Sequence, residues 1–124
     1  MRLTTWGIKQ MPGFLNSTVT KTAYFKLALE EDPEDYQVLY NLLYCFEYER
    51  SYEKAIEVLN SVLEKNPYNE IAWHEIGKQY LNLDRNEEAL SAFDFAIISD
   101  DTFIGAYLEK AKVLERLNRF NEAI

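Results

Sequence analysis

Apolar residues recur along this chain with the spacing of an α-helix. In residues 39–46 they stand at offsets of three, four and seven from the first, and in residues 55–63 at offsets of four, seven and eight. Such a stripe is typical of an amphipathic helix that buries one face. The polar segment Glu49-Arg50-Ser51 lies between the two stretches and is long enough only for a tight turn. The pattern therefore predicts a helical hairpin.

The hairpin pattern returns every 34 residues. Pro33 and Pro67 are separated by this distance, and the next step falls on Asp101 in a turn-like segment. Four further sets of positions share the period: Ala55, Ala89 and Ala123; Phe25, Leu59 and Phe93; Leu39, Trp73 and Tyr107; Phe46, Tyr80 and Leu114. Several sets of equivalent positions with one period indicate a chain built from copies of a single helix pair.

The periodicity predicts both the helices and the domain organisation. Helices are expected at about 18–31, 35–49, 53–65, 70–82, 87–98 and 103–116, followed by a turn at 116–119 and a new helix from Phe120. The units are an irregular segment or cap at 1–17 and a repeat domain at 18–124, made of a partial unit 18–35, full units 36–69 and 70–103, and a truncated unit 104–124. Because Pro12-Gly13 interrupts the pattern, residues 1–17 fit a cap, a cloning remnant or the end of a preceding segment.

The second full unit carries the most distinctive residues. Its first helix contains Trp73, Ile76, Gly77 and Tyr80, and its second contains Ala89, Phe93 and Ala96. This series resembles the tetratricopeptide repeat, a helix pair of 34 residues with a Trp, Leu, Gly, Tyr, Ala, Phe, Ala, Pro signature. The resemblance covers residues 33–124. It implies an all-α fold in which antiparallel helix pairs stack into a right-handed superhelical solenoid with a concave groove.

Single positions refine this expectation. Gly77 is predicted to be small so that the two helices of its pair approach closely, whereas Leu43 stands at the equivalent position of the preceding unit. That pair is therefore expected to splay or to repack around Leu43. Asn86 replaces the aromatic residue found at the equivalent Tyr52.

Positions on the first helices that packing does not use are predicted to line the groove. The candidates are Gln37, Tyr40, Asn41, Tyr44, Tyr48, His74, Glu75, Lys78, Leu108, Glu109 and Lys112. Tyr40, Tyr44 and Tyr48 are four residues apart, so a helix sets their rings in one column. Such a column is suited to binding a peptide, because tyrosine offers a large contact area at low entropic cost. The alternative is that the rings cover a neighbouring helix and Leu43.

The resemblance predicts a non-catalytic scaffold that binds a protein or peptide segment in this groove. A second interpretation is a structural or regulatory repeat segment of a larger protein, including an enzyme. Because residues 121–124 begin a helix without its remainder, the chain is also expected to be a fragment that could self-associate through its uncapped end. Some family members clamp a C-terminal carboxylate, but Ile71 and Glu75 occupy places where that clamp needs cations, so this mode is not expected.

Charge and composition mainly exclude classes of function. The chain has 13 Lys and Arg against 21 Asp and Glu, a net charge of −8, which argues against nucleic acid because phosphates would be repelled. The longest nearly apolar run, residues 38–46, is far shorter than a membrane span. No secretory signal is visible and the lone Cys45 cannot form an internal disulfide, so a cytoplasmic setting is predicted.

Candidate chemistry is sparse. The 4 glycines are scattered and form no phosphate-binding loop, and a single histidine cannot begin a multi-histidine metal site. Cys45 lies on a predicted helix, where a buried and inert thiol is expected. His74 and Glu75 are neighbours that leave a helix in different directions, so no acid–base pair is expected. The sequence predicts no catalytic residue, cofactor or metal.

Overall fold

Helices account for nearly all of the chain that the structure describes. The computed structural model describes the backbone of residues 18–123 and the side chains of residues 21–118. The helices are α1 (Thr18–Glu31), α2 (Tyr36–Tyr48), α3 (Tyr52–Lys65), α4 (Glu70–Asn82), α5 (Asn86–Ser99) and α6 (Ile104–Ala123). The described range contains no strand, and the predicted all-α class is confirmed. The bounds of α1 to α5 agree with prediction to within one residue. The cap or segment expected at 1–17 lies outside the described residues.

The chain divides into two compact units, and the boundary falls inside α3 between Ala55 and Ile56. In the first unit, α1 packs against α2. Their buried side chains are Phe25, Ala28 and Leu29 from α1 and Val38, Leu39, Leu42, Leu43 and Phe46 from α2. These are the apolar stripes of the two helices, so hydrophobic burial fixes the faces that meet.

In the second unit, α4 packs against α5 and α5 against α6. A Cβ atom placed on Gly77 would lie 2.6 Å from Cζ of the buried Phe93 ring, a distance that real contacts do not reach. The close approach predicted for Gly77 is therefore confirmed. Ala89, Phe93 and Val113 form the buried core cluster between α5 and α6, with Tyr80 and other partly buried residues packed around it.

Two helices end in the same backbone motif, 34 residues apart. Arg50 and Asp84 both have a φ of 58°. In the first copy the Ser51 amide donates to the Phe46 carbonyl at 2.8 Å, and in the second the Arg85 amide donates to the Tyr80 carbonyl at 2.9 Å. This is the Schellman arrangement, which satisfies carbonyls at a helix end through one left-handed residue.

The turn expected at residues 116–119 is absent, and the new helix expected at Phe120 does not form. α6 continues instead through this segment to Ala123. A left-handed residue costs roughly 1–2 kcal/mol when it is not glycine. At Asp84 that cost is offset because α5 packs back onto α4.

Two further contacts repeat with the same period and tie helices to the preceding turns. The Trp73 indole Nε1 donates to the Pro67 carbonyl at 2.8 Å, and the Tyr107 hydroxyl donates to the Asp101 carbonyl at 3.0 Å. The Trp73 ring also stacks on Phe95, with ring centroids 4.7 Å apart. The aromatic residue at this position therefore anchors the start of its helix as well as filling space.

Candidate protein-binding surface

Helix α2 begins at a capped residue and buries one side. The Asp35 carboxylate accepts a hydrogen bond from the Val38 amide at 3.3 Å, which satisfies an amide at the open end of the helix. The stripe of residues that includes Leu39, Leu42 and Phe46 is buried, and α2 packs against α1 within the first unit. This packing leaves a second side of α2 open to solvent.

Three tyrosines occupy that open side. Tyr40 is 44% exposed, Tyr44 69% and Tyr48 75%. Their spacing of four residues places the side chains in successive turns of one helix side, so we name Tyr40, Tyr44 and Tyr48 the tyrosine column. In the same helix, the exposed Gln37 donates from Nε2 to Oδ1 of Asn41 at 3.3 Å. The structure thus places these five predicted residues on α2.

Charges at the end of α2 are mainly acidic. Glu47 and Glu49 flank Tyr48, and the last turn of the helix contains no basic residue. The exposed Arg50 follows in the turn. Because the C-terminal end of a helix carries a partial negative charge, this end of the column is suited to a cation.

Helix α4 carries the corresponding positions of the second unit, and there the side chains pack together. The His74 ring meets Phe103 edge to face at 5.0 Å between centroids and lies 5.8 Å from Phe93. Lys78, half-buried, places Nζ 3.4 Å from the Glu75 carboxylate. His74 Nδ1 is 3.8 Å from the same carboxylate oxygen. We call His74, Glu75 and Lys78 the α4 polar cluster.

Glu75 is only 6% exposed, although the sequence places it among open groove residues. Burial raises the pKa of its carboxyl group, but the neighbouring His74 imidazole and the positive charge of Lys78 outweigh burial and hold the pKa below its usual value. The carboxylate therefore stays ionised in the folded chain at neutral pH. The neighbours of the Glu75 carboxylate, His74 and Lys78, lie on the same helix, α4.

The expectation that His74 and Glu75 point apart was wrong. Consecutive helical residues do diverge at their Cα atoms, but the long glutamate side chain bends back towards the imidazole. The aromatic rings of Phe93 and Phe103 hold His74 in place for this contact. Sequence spacing alone does not report these rings, because they come from a later helix and from the turn that precedes α6.

Helix α6 holds the last three predicted residues. Leu108 is exposed, and Lys112 Nζ lies 3.3 Å from the carboxylate of Glu109. This pair stands one repeat after Glu75 and Lys78 and has the same spacing of three residues. It is more open to solvent than the α4 pair.

Comparison with known proteins identifies the repeat. A family model described as "Tetratricopeptide repeat" matches residues 36–69, the range of the first predicted full unit. This chain carries the tetratricopeptide repeat. The match coincides with α2, α3 and the turn that joins them.

Relatives of known name share this repeat. The peroxisomal targeting signal receptor of Saccharomyces cerevisiae is 28% identical over 88% of this chain and 18% of its own length. The receptor of the same name from Kluyveromyces lactis is 30% identical over 85% of this chain and again 18% of its own length. The chain thus spans about a fifth of the length of these curated relatives.

Solved structures of MamA resemble the repeat chain in fold. The AMB-1 structure has a TM-score of 0.60 at 25% identity and covers 83% of this chain and 61% of its own. Another MamA crystal structure has a TM-score of 0.64 at 19% identity and covers 91% of this chain and 69% of its own. These neighbours support the all-α repeat fold.

The remaining candidate features are the Cys45 thiol, metal ligands and membrane-spanning segments. Cys45 is buried, as predicted, and burial raises the pKa of its thiol above the usual value. The described residues contain no group of three or more His, Cys, Asp or Glu placed to hold a metal ion. None of the helices between residues 18 and 123 is both long and apolar enough to cross a membrane.

Sequence reasoning missed two features of the repeats. The hydrogen bonds of Trp73 and Tyr107 to the preceding turns were not predicted, although a donor-bearing aromatic residue at the same position of two units was a usable signal. Oδ1 of Asn86 is buried without a hydrogen-bond partner among the described residues. The only sequence signal for it was a polar residue in place of an aromatic one.

Proposed function

We propose that the chain is a protein-interaction module with no catalytic role, and that the tyrosine column of α2 forms part of the surface that holds its partner. The observation that carries this proposal is the exposure of Tyr44 and Tyr48 on a helix whose stripe of aliphatic side chains is buried. The similarity to receptors for a peroxisomal targeting signal supports a binding role, since those proteins are named for what they recognise.

The physical case rests on what exposed tyrosines do at interfaces. Each ring offers a broad apolar face and a hydroxyl group. Only two side-chain torsions are immobilised on binding, so the loss of conformational entropy is small. Among the described residues, Tyr44 and Tyr48 have no hydrogen bond, ion pair or ring contact.

Further contacts are proposed on the second unit. His74 and Lys78 of α4 and Leu108 and Lys112 of α6 are the candidates there, because each is at least partly open to solvent. Glu75 and Glu109 would act through Lys78 and Lys112, which they orient. The partner is a protein or peptide, and the cytoplasmic setting and the self-association of the chain stay predictions.

The test compares the tyrosine column with an equally exposed tyrosine elsewhere. The triple variant Tyr40→Ala, Tyr44→Ala, Tyr48→Ala and the control Tyr68→Ala are each used as bait, since Tyr68 is 70% exposed but lies in the turn before α4. Captured proteins are quantified by mass spectrometry and the strongest one is purified for direct titration. We expect the triple variant to lower its affinity at least tenfold and the control to leave it unchanged.

Circular dichroism provides the control for folding, because only a variant with unchanged helix content reports on binding. Equal affinity of the triple variant and the wild type would place the binding surface away from α2. A large loss with Tyr68→Ala as well would mean that general exposed aromatic area is being measured.

A further inference from the structure

The tyrosine column is chemically biased towards one kind of partner. Tyr44 and Tyr48 present aromatic faces to solvent, and two carboxylates, those of Glu47 and Glu49, accompany them at the C-terminal end of α2. A cation placed over a tyrosine ring is attracted by the negative face of the π-system. The same end of the helix carries the negative pole of the macrodipole, and no residue of its last turn is basic.

The described cations of the first unit do not lie over these two rings. Lys26 of α1 places Nζ 5.6 Å from the centroid of the Phe46 ring. Phe46 stands two residues from both Tyr44 and Tyr48, which on a helix is about 200° around the axis. Lys26 therefore lies on the side of α2 opposite Tyr44 and Tyr48. No described residue places a cation over Tyr44 or Tyr48.

Resting on the proposed function, we propose that the tyrosine column recognises a basic peptide segment, with an arginine side chain stacked on Tyr44 or Tyr48 and held by the exposed carboxylate of Glu49. Arginine fits better than lysine because its planar guanidinium stacks on an aromatic face and donates to a carboxylate at the same time. The net charge of −8 adds long-range attraction for such a segment.

Arg50 provides an internal check on this assignment. It is the charged residue that follows Glu49, it is exposed, and it makes no ion pair with any described residue. A basic partner would meet this positive charge as a repulsive element. Its removal should therefore strengthen binding, whereas removal of the neighbouring negative charge should weaken it.

The test titrates the whole chain with a peptide of ten residues, acetylated and amidated, in which arginine alternates with glycine. The matched probe replaces each arginine by citrulline, which keeps the length and planar head group of the side chain but removes its charge and puts a carbonyl oxygen in place of one nitrogen. NMR signals of the tyrosine rings report binding. We expect the arginine peptide to bind at least fivefold more tightly than the citrulline peptide.

Variants then separate specific from general electrostatic binding. Tyr44→Leu with Tyr48→Leu keeps apolar area but removes the π-faces, and we expect at least a fivefold loss, with no loss for Tyr68→Leu. Glu49→Gln should weaken binding about twofold. Arg50→Asn, in a left-handed position that Asn tolerates, should strengthen it about twofold.

Glu87→Gln is the matched charge control, because Glu87 is exposed in the first turn of α5 in the second unit. If Glu87→Gln weakens binding as much as Glu49→Gln, attraction is general and the inference is overturned. Equal binding of the arginine and citrulline peptides overturns only the choice of a basic partner. The proposed function fails separately, when a captured partner is indifferent to the triple alanine variant.

Discussion

Helices α2 and α4 share a register but present different outer faces. Both begin at a side-chain cap, Asp35 in one and Asn69 in the other, and both end in a left-handed residue with a φ of 58°. The equivalents of Tyr40 and Tyr44 are His74 and Lys78. In α2 these positions are exposed rings, whereas in α4 they belong to a packed polar cluster.

The difference shows that one repeat pattern fixes only part of each helix. Caps, turn residues and the buried stripe recur because each satisfies a backbone or packing requirement of the helix pair. The outer positions carry no such requirement, so they can differ between copies. In α4 the charges on this face are paired within the second unit, while in α2 the rings of Tyr44 and Tyr48 are exposed.

The largest expected effect comes from giving α4 the residue that α2 has at the same position. Gly77→Leu corresponds to Leu43, but at Gly77 the side chain would enter the space of the Phe93 ring. Overpacking of a filled core typically costs roughly 1–3 kcal/mol. We expect a loss near 3 kcal/mol in the free energy of unfolding, measured by urea denaturation.

A second substitution sharpens this test. The equivalent of Phe93 in the preceding unit is Leu59, so Gly77→Leu with Phe93→Leu transfers the whole pair of residue types. The double variant should recover at least about 1 kcal/mol relative to the sum of the single changes, as expected for residues in contact. Simple additivity would show that Phe93 is not what excludes a side chain at Gly77.

A smaller effect is expected from the buried carboxylate of α4. Glu75→Gln removes a charge that Lys78 stabilises, and hydrogen bonds to charged groups contribute about 1.5–3 kcal/mol. Since burial opposes that gain, we expect a loss of about 1 kcal/mol at pH 7. The control is Glu109→Gln, the same pair with Lys112 one repeat later, where greater exposure limits the loss to about 0.5 kcal/mol.

The loss should depend on pH in a defined direction. The pKa of Glu75 is lower in the folded chain than its ordinary value, so the unfolded chain takes up the proton first as pH falls. The stability that Glu75 contributes is therefore complete above about pH 4.3, the ordinary glutamate pKa, and declines as pH falls towards the folded pKa. Unfolding measured from pH 7 to pH 3 should show wild type and Glu75→Gln converging. A constant difference would contradict this prediction.

The smallest effect on stability is expected at the tyrosine column. Tyr44→Ala and Tyr48→Ala should each change the free energy of unfolding by no more than about 0.5 kcal/mol, because both rings are mostly exposed. His74→Ala, at the position equivalent to Tyr40, should cost about 1–2 kcal/mol through the loss of two aromatic contacts. Thermal unfolding of the three variants measures this contrast directly. Equal losses would mean that Tyr44 and Tyr48 are packed after all.

The sequence by itself determined the helices, their period and the side that each one buries. Apolar spacing gives the buried stripe of α2, and the resemblance to the tetratricopeptide repeat gives the tight approach at Gly77, because a small residue belongs to the repeat signature there. The positions of Tyr40, Tyr44 and Tyr48 on one side of α2 follow from the same geometry.

Tertiary structure alone decided what the outer positions do. Glu75 is buried beside His74, whose ring contacts Phe93 and Phe103, residues 19 and 29 positions further along the sequence. α6 continues past residue 116, where the repeat pattern predicted a turn. Helical spacing determines which side chains share a face, but their exposure and charge state depend on neighbours that only folding brings into contact.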